Sequence, residues 1–283
     1  MFIAGLAYSI SSMRFVFSGK LRCFWAVLLV LSCLGTVPPL QAQTNLSVDE
    51  IIRNAVTRSQ QGAKKATRSD YTYTKVTLRQ EFDPSGHVKE HKEKVYQVSF
   101  QEGLTRVKLL SVNGRPPAEN DVKEQSENDS NARQLLGSSK SERGDQRENL
   151  LTPELVERFD FTLIAQTNLN GRMAYQVTFQ TKNPEPPVRH MIDRFLNRLS
   201  GTIWIDAEEY EVARADINLR SEVNLLGGVI GSLKRLAYTI TRTRVADGIW
   251  LNTYSSGDFE GRKLIESLRI KTKSLSKNFR PLG

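Results

Sequence analysis

Three histidines and two cysteines are the chain's whole stock of imidazole and thiol in 283 residues, and none is spaced for metal ligation. His87 and His91 fall four residues apart in a strand-like run, which puts them on one face but about 13 Å from each other, too far to share an ion. His190 shares a helical face with Arg194, and there Asp193 can pair with Arg189 or Asn197. Cys23 and Cys33 both lie in an apolar N-terminal segment, so the rest of the chain has no disulfide, thiolate nucleophile or thiolate metal site. No serine stands in a Gly-x-Ser-x-Gly elbow. Gly227-Gly228-x-x-Gly231 lacks the Lys-Ser/Thr ending and the strand–turn–helix frame of a phosphate loop. Asp206, Glu208 and Glu209 crowd a turn, where solvated acids are expected. These residues predict no enzyme, no metal and no cofactor.

Apolar side chains in unusual places carry more. Leu225, Leu226, Val229, Ile230 and Leu233 cluster in a loop with Gly227, Gly228 and Gly231, where glycine confers mobility. Such a loop is either a plug that completes the core or a gate over an apolar cavity of the kind that admits an acyl chain. Each methylene buried there contributes about 0.8 kcal/mol. Near the C-terminus, Lys263, Arg269, Lys271 and Lys273 share one parity, and Leu264, Leu268 and Ile270 share the other. A strand with a basic outer face is either a solvated edge guarded by lysines or a surface drawn to anionic headgroups.

The elements that must position these residues are mostly strands. Ser47 caps an N-terminal helix with Asp49 and Glu50 in its first turn and an apolar stripe of Val48, Ile51, Ile52, Ala55 and Val56. The stripe is lost near Gly62. Strands follow over 71–82, 87–101 and 104–112. Thr152-Pro153 starts a short helix. Phe159, Phe161, Leu163 and Ala165 alternate, and Asn170-Gly171 turns the chain onto Met173, Tyr175, Val177 and Phe179. After Pro184, Pro186 and Pro187 comes a second amphipathic helix over 188–199. Further strands are predicted for 202–205, 213–220, 236–245, 249–254 and 264 to about 274, with turns at Asp247-Gly248 and around 257–261. In the hairpin over 201–220, Ala213, Ala215, Ile217 and Leu219 face one way, and Arg214, Asp216, Asn218 and Arg220 the other.

The ends and the charge bound the compartment. Residues 1–42 read as a cleavable export signal: Arg14, Lys20 and Arg22 precede the eleven apolar residues 24–34, and Leu40-Gln41-Ala42 precedes a cut at Gln43. Eleven is too few to span a bilayer, which needs about 20; an uncleaved anchor and lipidation at Cys33 are the alternatives. The signal holds three Lys/Arg and no Asp/Glu, so a whole-chain charge of +9 becomes +6 for residues 43–283. A basic exported protein meets anionic lipid or acidic envelope polymer rather than nucleic acid, or its charge simply keeps it soluble. Residues 114–149 carry no aromatic side chain and few apolar ones, a composition that predicts a disordered insertion.

One motif resembles a known family. Gly201, Ile203, Trp204, Ile205 and Asp206, followed through an acidic turn by Val212 and Arg214, are similar to the strand pair of the LolA/LolB-like superfamily, the outer-membrane lipoprotein-sorting protein homologues. The later hairpin over 242–251, whose second strand carries Trp250, also fits. The resemblance implies an α+β fold: a half-open antiparallel β-barrel of about ten strands, with helices covering the concave face, built from one domain over 43–283. It implies a monomeric periplasmic carrier that shields lipid or lipoprotein acyl chains and meets an inner- or outer-membrane protein partner. A sensor of envelope lipid or stress, of the RseB kind and without transfer, is the alternative. Its cavity would be lined by Phe161, Leu163, Tyr175, Val177, Phe179, Ile217 and Leu219, beneath the gate at Leu225, Leu226, Val229, Ile230 and Leu233.

Overall fold

Ser47 does cap the first helix: the backbone N–H of Glu50 donates to Ser47 Oγ at 3.3 Å and that of Ile51 to Ser47 O at 3.1 Å. The computed structural model describes residues 46–64, 71–101, 104–123, 151–189, 191–225, 231–263 and 266–282. The signal over 1–42, the insertion beyond residue 123, and Leu226, Val229 and Ile230 lie outside the described residues. Helix α1 (Val48–Lys64) is followed by β1 (Tyr71–Phe82), β2 (Val88–Gln101) and β3 (Leu104–Val112), then by the single turn of α2 (Pro153–Val156). Next come β4 (Phe159–Leu169), β5 (Arg172–Thr181), α3 (Met191–Leu196), β6 (Leu199–Asp206) and β7 (Val212–Leu219). The chain closes with β8 (Val223–Leu225), β9 (Gly231–Ala246), β10 (Ile249–Lys263) and β11 (Glu266–Pro281).

These form one 11-stranded antiparallel sheet, ordered β3-β2-β1-β11-β10-β9-β7-β6-β5-β4, with β8 added beside β9. The outer strands β3 and β4 do not pair with each other among the described residues, so the sheet is an open half-barrel and the α+β expectation holds. Strand β1 pairs with β11 from Tyr71↔Pro281 to Phe82↔Arg269, which joins the two ends of the described chain in mid-sheet.

Period-two alternation sorts the side chains between two faces. From β4 to β7, Tyr175, Val177, Ile203, Ile205, Val212 and Ala215 form the helix-covered, concave face and pack under Ile51, Ile52 and Ala55 of α1. Ile51, Val177 and Ile205 are fully buried there, and burying side chains of this size contributes about 1.5–3 kcal/mol each. A second cluster joins Tyr73, Val98 and Leu251, with Phe279 set 5.1 Å from the Tyr73 ring.

Four predicted elements differ. The helix expected over 188–199 shortens to α3, because its flanks hold the proline segment instead. Asp193 Oδ2 accepts the Arg189 backbone N–H at 2.7 Å, and Asn197 Nδ2 donates to Pro186 O at 2.7 Å. Leu199 already pairs with Leu219 in β6–β7. Strand β9 begins at Gly231, because β8 pairs with its first residues through Leu225↔Gly231 and Val223↔Leu233. Strand β11 runs on to Pro281 because β1 supplies a partner along that length. The fourth correction concerns the turn expected around 257–261: β10 passes straight through both glycines.

There the glycines serve close approach rather than turning. A Cβ on Gly261 would stand 2.2 Å from Ser232 O of the paired strand. A Cβ on Gly201 would stand 2.0 Å from Asp216 O and 2.9 Å from the Phe179 ring. Gly201→Ala is therefore expected to lower stability by about 1–3 kcal/mol, read as a drop in thermal midpoint. Gly86→Ala, with nothing within 4 Å of its Cβ and φ at +86°, tests positive φ alone.

Candidate functional site

The concave face changes character across the sheet. At the β4–β7 end it is sealed by α1. Farther along, Phe161, Phe179, Ile217, Leu219, Leu233, Tyr238 and Phe259 are only half-buried, grouped around buried Phe159, Leu199 and Leu236. Beyond this strip, the register puts Ser255, Gly257, Thr272, Ser274 and Thr77 on the same face. Thr77 and Ser274 hydroxyls bond to each other at 3.0 Å. The face thus grades from sealed core, through a partly open apolar strip, to small polar side chains and then to the charged Lys75, Arg79, Glu81, Lys92 and Lys94 of β1 and β2.

Glycines shape the strip. The Phe179 ring lies where a Gly201 Cβ would project, and the Phe259 ring covers Gly257, whose Cβ would stand 2.3 Å from it. Each ring lies down along the sheet because the residue beneath has no side chain, which keeps the strip shallow. Phe159 meets Phe179 edge-on at 5.1 Å, and Tyr238 sits 6.2 Å from Phe259. Such pairs add about 0.5–1.5 kcal/mol beyond area burial.

Of the residues singled out by sequence, Tyr175 and Val177 are closed off under α1. Phe161, Leu163, Phe179, Ile217, Leu219 and Leu233 come together in or beside the strip. Leu225 ends β8, one residue before the undescribed part of the loop. Tyr238, Phe259 and Leu236 were missed, although Leu236, Tyr238 and Ile240 alternate in sequence; Phe259 was hidden by reading Gly257 and Gly261 as a turn. Lys263, Arg269, Lys271 and Lys273 sit on β10 and β11, in the interior of the sheet and not at its edge.

In the acidic turn after β6, Glu208 is exposed as expected, but Asp206 and Glu209 are not. Asp206 is 1% exposed and takes a two-pronged bond from Arg172, Nε to Oδ2 at 2.6 Å and Nη2 to Oδ1 at 2.9 Å. Its Oδ1 also accepts the backbone N–H groups of Glu208 and Glu209. Glu209 accepts from Arg244 Nε at 2.5 Å and from Trp250 Nε1 at 2.7 Å. Buried Glu211 accepts from Arg242 Nη1 at 2.7 Å and pairs with Arg58 Nε of α1 at 3.1 Å. Arg58 Nη2 reaches Gly248 O at 2.6 Å, in the β9–β10 turn. The two hairpins that carry the family resemblance are thereby clamped to each other and to α1. Trp204 and Arg214, directly opposed in register, point away from α1 and stack with 4.9 Å between guanidinium and ring. No group of three His, Cys, Asp or Glu among the described residues is placed to hold a metal, and no described helix is long and apolar enough to cross a membrane.

Burial pushes the Asp206 carboxyl up, but the Arg172 bond and the backbone N–H groups outweigh it, so it titrates below its ordinary value. A carboxyl held lower in the folded than in the unfolded chain stabilises fully above the unfolded value of about 3.9 and loses that contribution as pH falls through the folded one. Asp206→Ala is expected to cost about 3 kcal/mol at neutral pH. Its deficit against the natural chain should shrink in acid, as read by denaturant unfolding at pH 7 and near pH 3.

No protein-family model matches the chain, and no curated protein does. Among solved structures, the chain is similar to one from Vibrio parahaemolyticus described as an outer membrane lipoprotein-sorting protein domain: 11% identity, 81% of this chain and 93% of that one, TM-score 0.33. It is also similar to a LolA superfamily protein from Nitrosomonas europaea, at 7% identity over 80% and 92% of the two chains, TM-score 0.28. A third likeness is the Pseudomonas aeruginosa MucA/MucB complex, at 7% identity over 81% and 99%, TM-score 0.26. Likenesses at these scores add no weight to the fold assignment, which rests on the strand order and register.

Proposed function

We propose that this protein is a periplasmic carrier whose concave face shields an acyl chain of a lipid or lipoprotein. The observation that carries this reading is the half-buried strip of Phe161, Phe179, Ile217, Leu233, Tyr238 and Phe259, which continues an apolar core toward the polar part of the concave face. Apolar atoms left part-wet on a concave surface gain about 25 cal/mol for each Å² that a ligand removes from water. An acyl chain needs no polar partner, which suits a strip whose side chains offer only the Tyr238 hydroxyl. On this reading the chain performs no covalent chemistry. Residues 1–42 direct export and are removed.

The test is native mass spectrometry of the protein purified from its own cell envelope, together with displacement of an acyl-chain fluorophore. A bound lipid or lipoprotein is the expected result. Phe259→Ser is expected to weaken fluorophore binding about tenfold, the loss of one buried ring. The carrier reading fails if no lipid co-purifies and the fluorophore does not bind. Co-purification of a single envelope protein would then favour a sensor of envelope lipid or stress.

A further inference from the structure

We propose that the opposite, convex face of the sheet, at β10, β11, β1 and β2, is a docking surface for an anionic lipid bilayer. It goes beyond acyl-chain binding, since the two faces are distinct. Register sets its membership: Arg269, Lys271, Lys273, Leu275 and Lys277 of β11 lie opposite Phe82, Gln80, Leu78, Val76 and Thr74 of β1. Tyr254 flanks them from β10, and Val88 and Val95 from β2.

Three observations argue for a bilayer. First, β11 lies between β1 and β10, so its lysines are not guards on an exposed edge, which removes the ordinary reason for a row of them. Second, the cations rest on aromatic rings. Lys271 Nζ is 5.6 Å and Arg269 5.5 Å from the Phe82 ring centre, and Lys273 Nζ is 5.7 Å from that of Tyr254. Third, large apolar side chains stay exposed among them: Leu275 and Val88 are each 49% exposed. Charge complementarity names the occupant. Arg235, Arg269, Lys271, Lys273 and Lys277 outnumber Asp258, Glu260 and Glu93 on this face, and of the three β11 lysines none forms an ion pair among the described residues. Cations with aliphatic stems beside aromatic rings and bare leucine or valine suit the headgroup level of a membrane, where ammonium groups meet phosphate and the rest meets the acyl boundary.

The experiment is co-sedimentation of the exported protein with phosphatidylglycerol vesicles and with phosphatidylcholine vesicles. Partition to the anionic vesicles alone is expected, weakening as salt screens it. The K271Q/K273Q/K277Q variant is expected to partition about a hundredfold less well, from about fivefold per lysine. The K182Q/R189Q/R220Q variant, altered at positions distant in the sheet, should partition unchanged. The proposal is overturned if the lysine variant keeps its melting temperature and still sediments like the natural protein, if both variants lose equally, or if neutral vesicles bind as well. A dimer in solution that the lysine substitutions dissociate would put a second copy on this face and also overturn it. Acyl-fluorophore binding without vesicles reads the concave face separately.

Discussion

The pairing of β1 with β11 is the constraint on which the rest of the sheet depends. It joins residues some two hundred positions apart, from Tyr71 to Phe82, with one irregularity between Thr72 and Thr74. Without it, the β1–β3 meander and the strands from β4 onward would be separate sheets with two more open edges. With it, one surface curves through all the strands, so that apolar side chains from β4 to β10 share a concave face and β11 lies in the interior. Closing so long a loop costs entropy before any contact repays it, and the pairing along β1 is what repays it.

What holds the curved sheet differs from one end to the other. Under α1 it is dispersion and apolar burial, with Ile51, Val177 and Ile205 out of water. At the β6–β7 and β9–β10 turns it is charge. Arg172, Arg242, Arg244 and Arg58 meet Asp206, Glu209 and Glu211 with little solvent between them. Buried pairs of this kind contribute modest net stability, because desolvation offsets attraction, yet losing one partner is expensive. Their effect is to fix geometry: α1 can seat in one place only, since Arg58 must satisfy both Glu211 and Gly248 O.

The strip between these ends follows from a different device. Gly201 and Gly257 lack the atoms that would hold Phe179 and Phe259 upright, so the rings lie along the strands. A sheet lined by upright aromatics would fill its own hollow. One lined by recumbent rings stays shallow and apolar, which is the geometry a flexible hydrocarbon chain can use.

Much of this was legible in the sequence where local pattern decides. Alternation placed β4, β5 and β7 and the concave residues Phe161, Phe179, Ile217 and Leu219; Ser47 announced α1; Asn170-Gly171 and Asp247-Gly248 announced their turns. Where a residue's role depends on a distant strand, local pattern misled. Gly257 and Gly261 read as a turn, because the sequence does not show the Phe259 ring that a Cβ on Gly257 would strike or the Ser232 carbonyl that one on Gly261 would strike. Exposed Glu208 fits the expected wet turn, but Asp206 and Glu209 do not, because Arg172 and Arg244 that cover them come from other hairpins. By itself the sequence determined which side chains share a face, since the two-residue period is set by the backbone. Only the tertiary structure decided which strands are edges, which charges are buried and where the concave face stays open, since those depend on what the sheet brings alongside.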